Sequence, residues 1–320
     1  MRQTRIRPMV EGGLLAAVAI MFAIVSAYVP IIGPFVNLIW PVPIVLLGVR
    51  HGYKWSIMAT VVSGIIIAML LHPLQSVSVV VGFGLIGIVL GYTFRMQYSA
   101  TKTMLWGTMA SIISKAALFA IGIMVTGVNP FGMENEAMAK AMEQAIEVYR
   151  SFGIPEQNLA QMSESMQVMI NLLKIILPSG FVMASIVDTY LNFIIAKTVL
   201  KKLGHFVPNF PPFKKWILPS YIVYFFALSL VMIYWGNTRE ITMLYNIGMN
   251  IEVLASVLLL IEGLSLFYYA VDKYNLSRMV KGIILVLILS NGFFTQMVVI
   301  AGAVDTILDY RRLKAPRESK

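Results

Sequence analysis

Residues 12–29 read GGLLAAVAIMFAIVSAYV, eighteen consecutive positions without Asp, Glu, Lys or Arg, preceded by Arg7 and Glu11 and followed by Pro30. A helix of that length covers about 27 Å, close to the roughly 30 Å hydrocarbon core of a bilayer. Comparable runs recur at about 32–49, 55–71, 77–93, 104–126, 172–198, 217–235 and 243–269, and a further apolar stretch occupies 282–309. Of 320 residues, 58% are hydrophobic and 12% charged, and mean hydropathy is +0.80. Soluble domains carry roughly 45–50% apolar and about 25% charged residues, so this chain has too few charges to cover a water-facing surface. In lipid every backbone polar group needs an internal partner, which leaves helices for unalternating runs of this length. The expected fold class is all-α, a polytopic membrane protein with eight or nine transmembrane helices.

The net charge of +10 and a pI near 9.7 fit topology better than nucleic-acid binding. Arg50, His51 and Lys54, then Arg95 and Lys102, then Lys197, Lys201, Lys202, Lys214 and Lys215 occupy alternate connections, as the positive-inside rule places cytoplasmic loops. The N-terminus, with Arg2, Arg5 and Arg7, is expected in the cytoplasm, and the first helix is expected to be retained because no small-residue cleavage site follows it. With no cysteine there is no disulfide, thiolate nucleophile or cysteine metal site. There is no HExxH pattern, phosphate-binding loop or compact catalytic frame, and the dispersed methionines suit apolar filling. No metal and no cofactor is implied, and the chain is expected not to be an enzyme by itself, with intramembrane catalysis a minority alternative.

Several breaks punctuate the runs. Pro30 and Gly33-Pro34 interrupt the first hairpin, Pro41 and Pro43 imply a kink or partial unwinding in the second run, and His72-Pro73 marks an outer turn. Residues 127–170 carry six acids against Lys140 and Arg150, which fits the outer face. Within them Met133, Ala137, Met138, Ala141, Met142, Ala145 and Tyr149 recur at helical spacing opposite Glu136, Glu143, Glu147 and Arg150. Phe152-Gly153 ends that helix, and Pro155 is expected early in a second one feeding the sixth span, with Pro178 and Gly180 near its outer end. The proline- and aromatic-rich stretch 206–219 reads as a connector, giving a six-helix bundle over 1–205, including the 127–170 insertion, and a membrane extension over 206–320. An outer turn is expected at Gly236-Asn237. A single crossing by 282–309 would leave Arg311, Arg312, Lys314, Arg317 and Lys320 outside against the charge bias, so Asn291-Gly292 either turns a re-entrant hairpin or interrupts a long helix, or nine ordinary spans violate the bias.

Ionisable groups inside spans are costly and mark either a site or a buried pair. Lys115 lies in the fifth span, with Asp188 or Glu262 as possible partners. Asp188 and Asn192 share one face of the sixth span, where Tyr190 and Asn171 widen the polar surroundings if kinks turn them inward. Lys174, nearer the outer edge, either meets an anionic group or snorkels to headgroups. Asn246 and Asn250 form a second i,i+4 pair in the eighth span, above Glu252 and Glu262. For all of these, interhelical hydrogen bonding is the structural alternative to ligand contact. Ala19, Ala23 and Ala27, with Gly12 and Ala16, make a narrow face on the first span, and Gly84, Gly87 and Gly91 make another on the fourth, suited to close helix packing or to a docking partner.

The stretch RPMVEGGLLAA at 7–17, the PIIGP loop at 30–34 and the RHGYK turn at 50–54 resemble the YybS-like family of uncharacterised bacterial membrane proteins, over nearly the whole chain. The first six spans are also similar to the substrate-binding S components of energy-coupling-factor transporters, in the small-residue first helix, the Gly-Pro loop after it and the positive turn after the second span. That resemblance implies a six-helix bundle that binds a small molecule, docks through Ala19, Ala23 and Ala27 onto a transmembrane coupling subunit, and is driven by separate ATPases. Lys115 and Lys174 would then contact negative atoms of the ligand, while Asp188 and Asn192 orient polar ones. The expected localisation is the bacterial plasma membrane. The alternative is a membrane-embedded assembly or regulatory scaffold, with the lipid bilayer and another protein as partners.

Overall fold

The computed structural model describes residues 6–29, 31–127 and 135–313. Arg2, Arg5, Pro30, Met133, Lys314, Arg317 and Lys320, and the side chains of Pro34, Glu136, Ala137, Met138, Ala141 and Met142, lie outside the described residues. Among those described, the regular structure is helical, and seven helices are long and apolar enough to cross a membrane, or eight if a bent C-terminal pair counts as one span. The chain divides into two compact units, Met1–Met166 with Gly180–Asn209, and Gln167–Ser179 with Phe210–Lys320. The second unit therefore takes a short piece of the sixth span in addition to the C-terminal extension.

In the first unit, α1 (Ile6–Tyr28) buries Gly12, Ala16, Ala19 and Ala23. The second apolar run is two helices, α2 (Gly33–Ile39) and α3 (Pro41–His51), where a single span over 32–49 is expected from the sequence. Pro41 and Pro43 lack the amide hydrogens that would continue α2, yet they fit the first turn of a new helix, and Trp40 between the two keeps right-handed helical angles (φ −52°, ψ −37°), so the chain does not unwind there. Every residue from Pro41 to Gly48 is buried. Around α3 pack α1, α4 (Tyr53–Leu70) and α5 (Pro73–Arg95). The glycine face of α5 serves this packing: a Cβ on Gly91 would lie 3.0 Å from the Val45 carbonyl oxygen, and one on Gly87 3.1 Å from that of Pro41. Gly52 (φ +97°) makes the turn into α4 in a conformation that L side chains rarely adopt. Glu11 of α1 accepts from His51 (Nε2 2.7 Å) and Arg50 (Nη1 3.1 Å), joining the basic end of α3 to the first helix.

From α6 (Ala100–Thr126) the described chain resumes at α7 (Asn135–Ser151) and turns at Phe152-Gly153, where Arg150 Nε donates to Glu156 Oε1 at 2.9 Å. Pro155 is the residue before α8 (Glu156–Lys202), not inside it. The second amphipathic helix and the sixth span are one helix of 47 residues, with Pro178 in its interior. At 1.5 Å per residue it is about 70 Å long, more than twice the hydrocarbon core.

In the second unit, residues 210–220 contain one 3-10 turn, Phe213–Lys215, and lead into α9 (Tyr221–Thr238) and α10 (Thr242–Lys273). The turn between α9 and α10 falls at Arg239-Glu240, with Glu240 at φ +55°, beyond the expected Gly236-Asn237. Gly236 has a packing role instead: a Cβ there would lie 2.5 Å from the backbone nitrogen of Tyr245 on α10. The last apolar stretch is broken into α11 (Arg278–Ser290) and α12 (Gly292–Leu308), bent by 103°. Asn291 sits between them and accepts from the Phe293 amide at 2.9 Å, capping α12. The 103° break means that 278–308 is no straight crossing helix, and it fits both a re-entrant hairpin and an interrupted helix at Asn291-Gly292.

Candidate functional site

The i,i+4 spacing that puts Ser111 and Lys115 on one face of α6 also puts Asp188 and Asn192 on one face of α8, and the first unit brings the two faces together. Lys115 Nζ lies 2.7 Å from Asp188 Oδ2 and donates to Ser111 Oγ at 2.5 Å. Ser111 Oγ donates to the same carboxylate oxygen at 3.1 Å. Asn192 Nδ2 donates to Asp188 Oδ1 and to its backbone carbonyl, both at 3.0 Å. The carboxylate is thus held by three donors and is 3% exposed, while the lysine side chain keeps 21% of its surface. Of the two partners available in sequence for Lys115, the structure selects Asp188.

The same two helices carry further buried polar atoms. Thr103 Oγ1 and Ser114 Oγ on α6, and Thr189 Oγ1 and Asn192 Oδ1 on α8, have no protein partner. Gly107 lets the backbones close up, since a Cβ there would lie 2.5 Å from Thr189 Cγ2. Buried polar atoms are satisfied in the large majority of cases, and the exceptions call for a water, an ion or a ligand. Of the four on α6 and α8, those of Ser114, Thr189 and Asn192 lie within one helical turn of Lys115 or Asp188, and that of Thr103 lies about 18 Å further along α6. A shallow groove of about 330 Å³ lined by Tyr53, Ile88, Val89 and Tyr92 contains no member of this cluster.

The remaining candidates do not join this cluster. Lys174, Asn246 and Asn250 belong to the second unit, and Lys174 is exposed. Asn171, also in that unit, is exposed, as is Tyr190 in the first. Asn250 has a structural task. Its Nδ2 donates to the Ile175 carbonyl at 2.7 Å, and its Oδ1 accepts from the Ser179 amide at 2.8 Å. Those two backbone groups would pair with each other in an undisturbed helix, so the carboxamide bridges the α8 ladder at Pro178. Its Nδ2 also reaches the Asn246 carbonyl at 2.8 Å, so the i,i+4 pair is joined through the backbone of Asn246. Asn250→Ala leaves the Ile175 and Ser179 groups without this bridge and is expected to cost about 1–3 kcal/mol, read as a lower unfolding temperature in detergent; an unchanged temperature would show the bridge to be dispensable.

Ala19 and Ala23, expected on a docking face, are instead 0% exposed within a core of Ala16, Trp40, Ile44, Leu47, Ala59 and Ile67. Only Ala27 of that trio is exposed. The small side chains let α1 approach α3 and α4 closely, which corrects the docking expectation for the other two.

A second charged cluster was not legible as such in the sequence. Glu262 of α10, Asp305 of α12 and Arg311 after α12 have side chains 0%, 1% and 0% exposed. Arg311 Nη2 bonds Glu262 Oε1 and lies 2.7 Å from Asp305 Oδ2, while its Nε donates to the same Asp305 oxygen at 2.8 Å. Its Nη1 donates to Ser265 Oγ (2.7 Å) and to the Lys214 carbonyl (3.0 Å), and Glu262 Oε2 accepts from the Leu218 amide at 3.0 Å. Glycines permit the crossing of α10 and α12: a Cβ on Gly263 would strike the Val298 carbonyl, and one on Gly302 that of Leu259. Arg311 reads as one more basic tail residue in the sequence; the available signal was a lone acid, Asp305, six residues before it in an otherwise uncharged helix.

The fold and these buried polar centres define an integral membrane protein with several apolar helices, and residues 17–306 match the family described as "Predicted membrane protein (DUF2232)", to which the chain belongs. Among curated proteins it is similar to the "Uncharacterized protein YybS" of Bacillus subtilis (strain 168), with 25% identity over 308 residues covering 95% of this chain and 97% of that protein. No solved structure matches the chain.

Proposed function

We propose that the chain binds a small polar or charged solute at the α6–α8 seam, as the substrate-binding component of a bacterial uptake system in the plasma membrane, with its N-terminus in the cytoplasm. One observation carries this reading: a Lys115–Asp188 pair between two apolar helices, its carboxylate 3% exposed, on helices that also carry buried polar atoms without protein partners at Ser114, Thr189 and Asn192. A solute with an anionic group would take the Lys115 ammonium, whose side chain is the more accessible of the pair. Polar atoms beside that group would meet Asn192 Oδ1 and the hydroxyls of Ser114 and Thr189. The chain would do no chemistry by itself, and a coupling subunit with ATPases would supply the energy.

Purified in nanodiscs and offered an untargeted mixture of small molecules, the protein is expected to retain a saturable ligand. Binding is expected to be lost in Lys115→Met and Asp188→Asn while circular dichroism shows the helices intact, and coupling and ATPase subunits are expected to copurify with the wild type. The second reading, an assembly or regulatory scaffold, draws on the internal burial of Ala19 and Ala23, which removes most of the face a coupling subunit would use. Reproducible absence of ligand and ATPases, with a stable non-transport complex in their place, would establish that reading over the first.

A further inference from the structure

The buried cluster of the second unit does not balance in charge. Glu262 and Asp305 are two acids, Arg311 is one base, and among the described residues it is the one cation within salt-bridge distance of either carboxylate. Three other cations of this unit are engaged elsewhere. The Lys214 ammonium lies 2.6 Å from Asp272, Lys273 Nζ donates to the Tyr310 hydroxyl at 3.2 Å, and Lys281 Nζ sits 3.6 Å over the Tyr268 ring. From the connector the cluster receives the Lys214 carbonyl and the Leu218 amide, and from α10 the Ser265 hydroxyl, all uncharged. Fully ionised, the cluster would hold a net charge of −1 with no exposed side-chain surface to hydrate it.

The hydrogen-bond count locates the imbalance at one atom. Arg311 makes four hydrogen bonds, from Nε to Asp305 Oδ2, from Nη1 to the Lys214 carbonyl and Ser265 Oγ, and from Nη2 to Glu262 Oε1, and Nη2 also lies 2.7 Å from Asp305 Oδ2. Both oxygens of Glu262 accept a hydrogen bond. Asp305 Oδ1, buried in a residue 1% exposed, has no partner, and the two carboxylates converge on one guanidinium nitrogen, since Arg311 Nη2 bonds Glu262 Oε1 and lies 2.7 Å from Asp305 Oδ2. Carboxylates held together out of water do not both ionise; the pair keeps one proton.

We propose that Glu262 and Asp305 form a proton-binding site of the C-terminal unit, in which the two carboxyls hold one proton between them while Arg311 neutralises the charge that remains. The proton brings the cluster to zero net charge. Asp305→Asn mimics the protonated state: it removes one negative charge, and its amide oxygen can accept from Arg311 as Oδ2 does.

The test is infrared spectroscopy of the full chain in nanodiscs at neutral pH, in the C=O stretching region of protonated carboxylic acids. The wild type is expected to show a band that is lost in both Asp305→Asn and Glu262→Gln. On raising the pH the wild type is expected to lose that band and unfold more readily, because the folded state holds a proton that the unfolded chain releases, whereas Asp305→Asn keeps a flat profile over the same range. A wild-type spectrum without the band, including one that changes only when Na⁺ or Li⁺ is added, would overturn the proposal. So would a band that survives both substitutions. The wild-type spectrum decides by itself if a variant fails to fold.

Discussion

Arg311→Met is expected to be among the most damaging single substitutions in the chain, lowering the stability of the C-terminal unit by about 3–5 kcal/mol, the range for removing one partner from a buried ion pair. The guanidinium supplies every hydrogen bond that Asp305 Oδ2 accepts in the structure, one of the two accepted by Glu262, and the donor to the Lys214 carbonyl. Methionine fills part of the volume and supplies none of these. The connector, α10 and α12 are joined through this side chain, so the loss is expected to appear as a lower unfolding temperature in detergent, with faster proteolysis after residue 309. Adding Asp305→Asn and Glu262→Gln to Arg311→Met is expected to recover part of the loss, since the buried charges go with their partner. A single variant as stable as the wild type would show that the cluster contributes nothing to the unit.

Lys115→Met has the second-largest expected effect. Asp188 is 3% exposed and would keep only Ser111 and Asn192 as donors, leaving its charge unpaired between two apolar helices. Because the lysine side chain retains 21% of its surface, the cost sits at the lower end for a buried pair, about 3 kcal/mol. Asp188→Asn alone leaves the ammonium partly accessible and is expected to cost less. The double variant Lys115→Met/Asp188→Asn is expected to be more stable than Lys115→Met, giving a coupling energy of about 1–3 kcal/mol in a double-mutant cycle. Additive losses would mean that the two side chains are not coupled, whatever their separation. The cycle reads stability and is independent of ligand binding, so it separates the structural role of the pair from its role in solute recognition.

Much of the architecture follows from one-dimensional regularities. Runs of about twenty apolar residues have a single economical solution in lipid, and the breaks at Gly52, His72-Pro73 and Phe152-Gly153 fall where glycine or proline chemistry ends a helix. The Lys115–Asp188 and Asp188–Asn192 relations were accessible for a related reason: a charge in an apolar helix needs a partner, and i,i+4 spacing fixes which side chains share a face. Glu262 marks where this reasoning stops. It satisfies the same criterion as Asp188, and its partner is Arg311, forty-nine positions away in a tail that composition assigns to the aqueous phase. Burial of that arginine depends on the 103° break at Asn291 and on two glycines that let α10 and α12 touch.

The alanine face of α1 gives the complementary case. Small residues at four-residue spacing specify that something packs closely there, and the spacing is the same whether that something is a partner protein or the chain's own α3 and α4. By itself the sequence determined a helical membrane protein, the positions of most of its helices, and the local faces that carry Lys115, Asp188 and Asn192, because these depend on hydropathy and helical period alone. Only the tertiary structure decided that Ala19 and Ala23 are internal, that Asn250 bridges α8 at Pro178, and that Arg311 is a buried counter-ion, because each depends on which surfaces meet, and that is a property of long-range packing that no local pattern encodes.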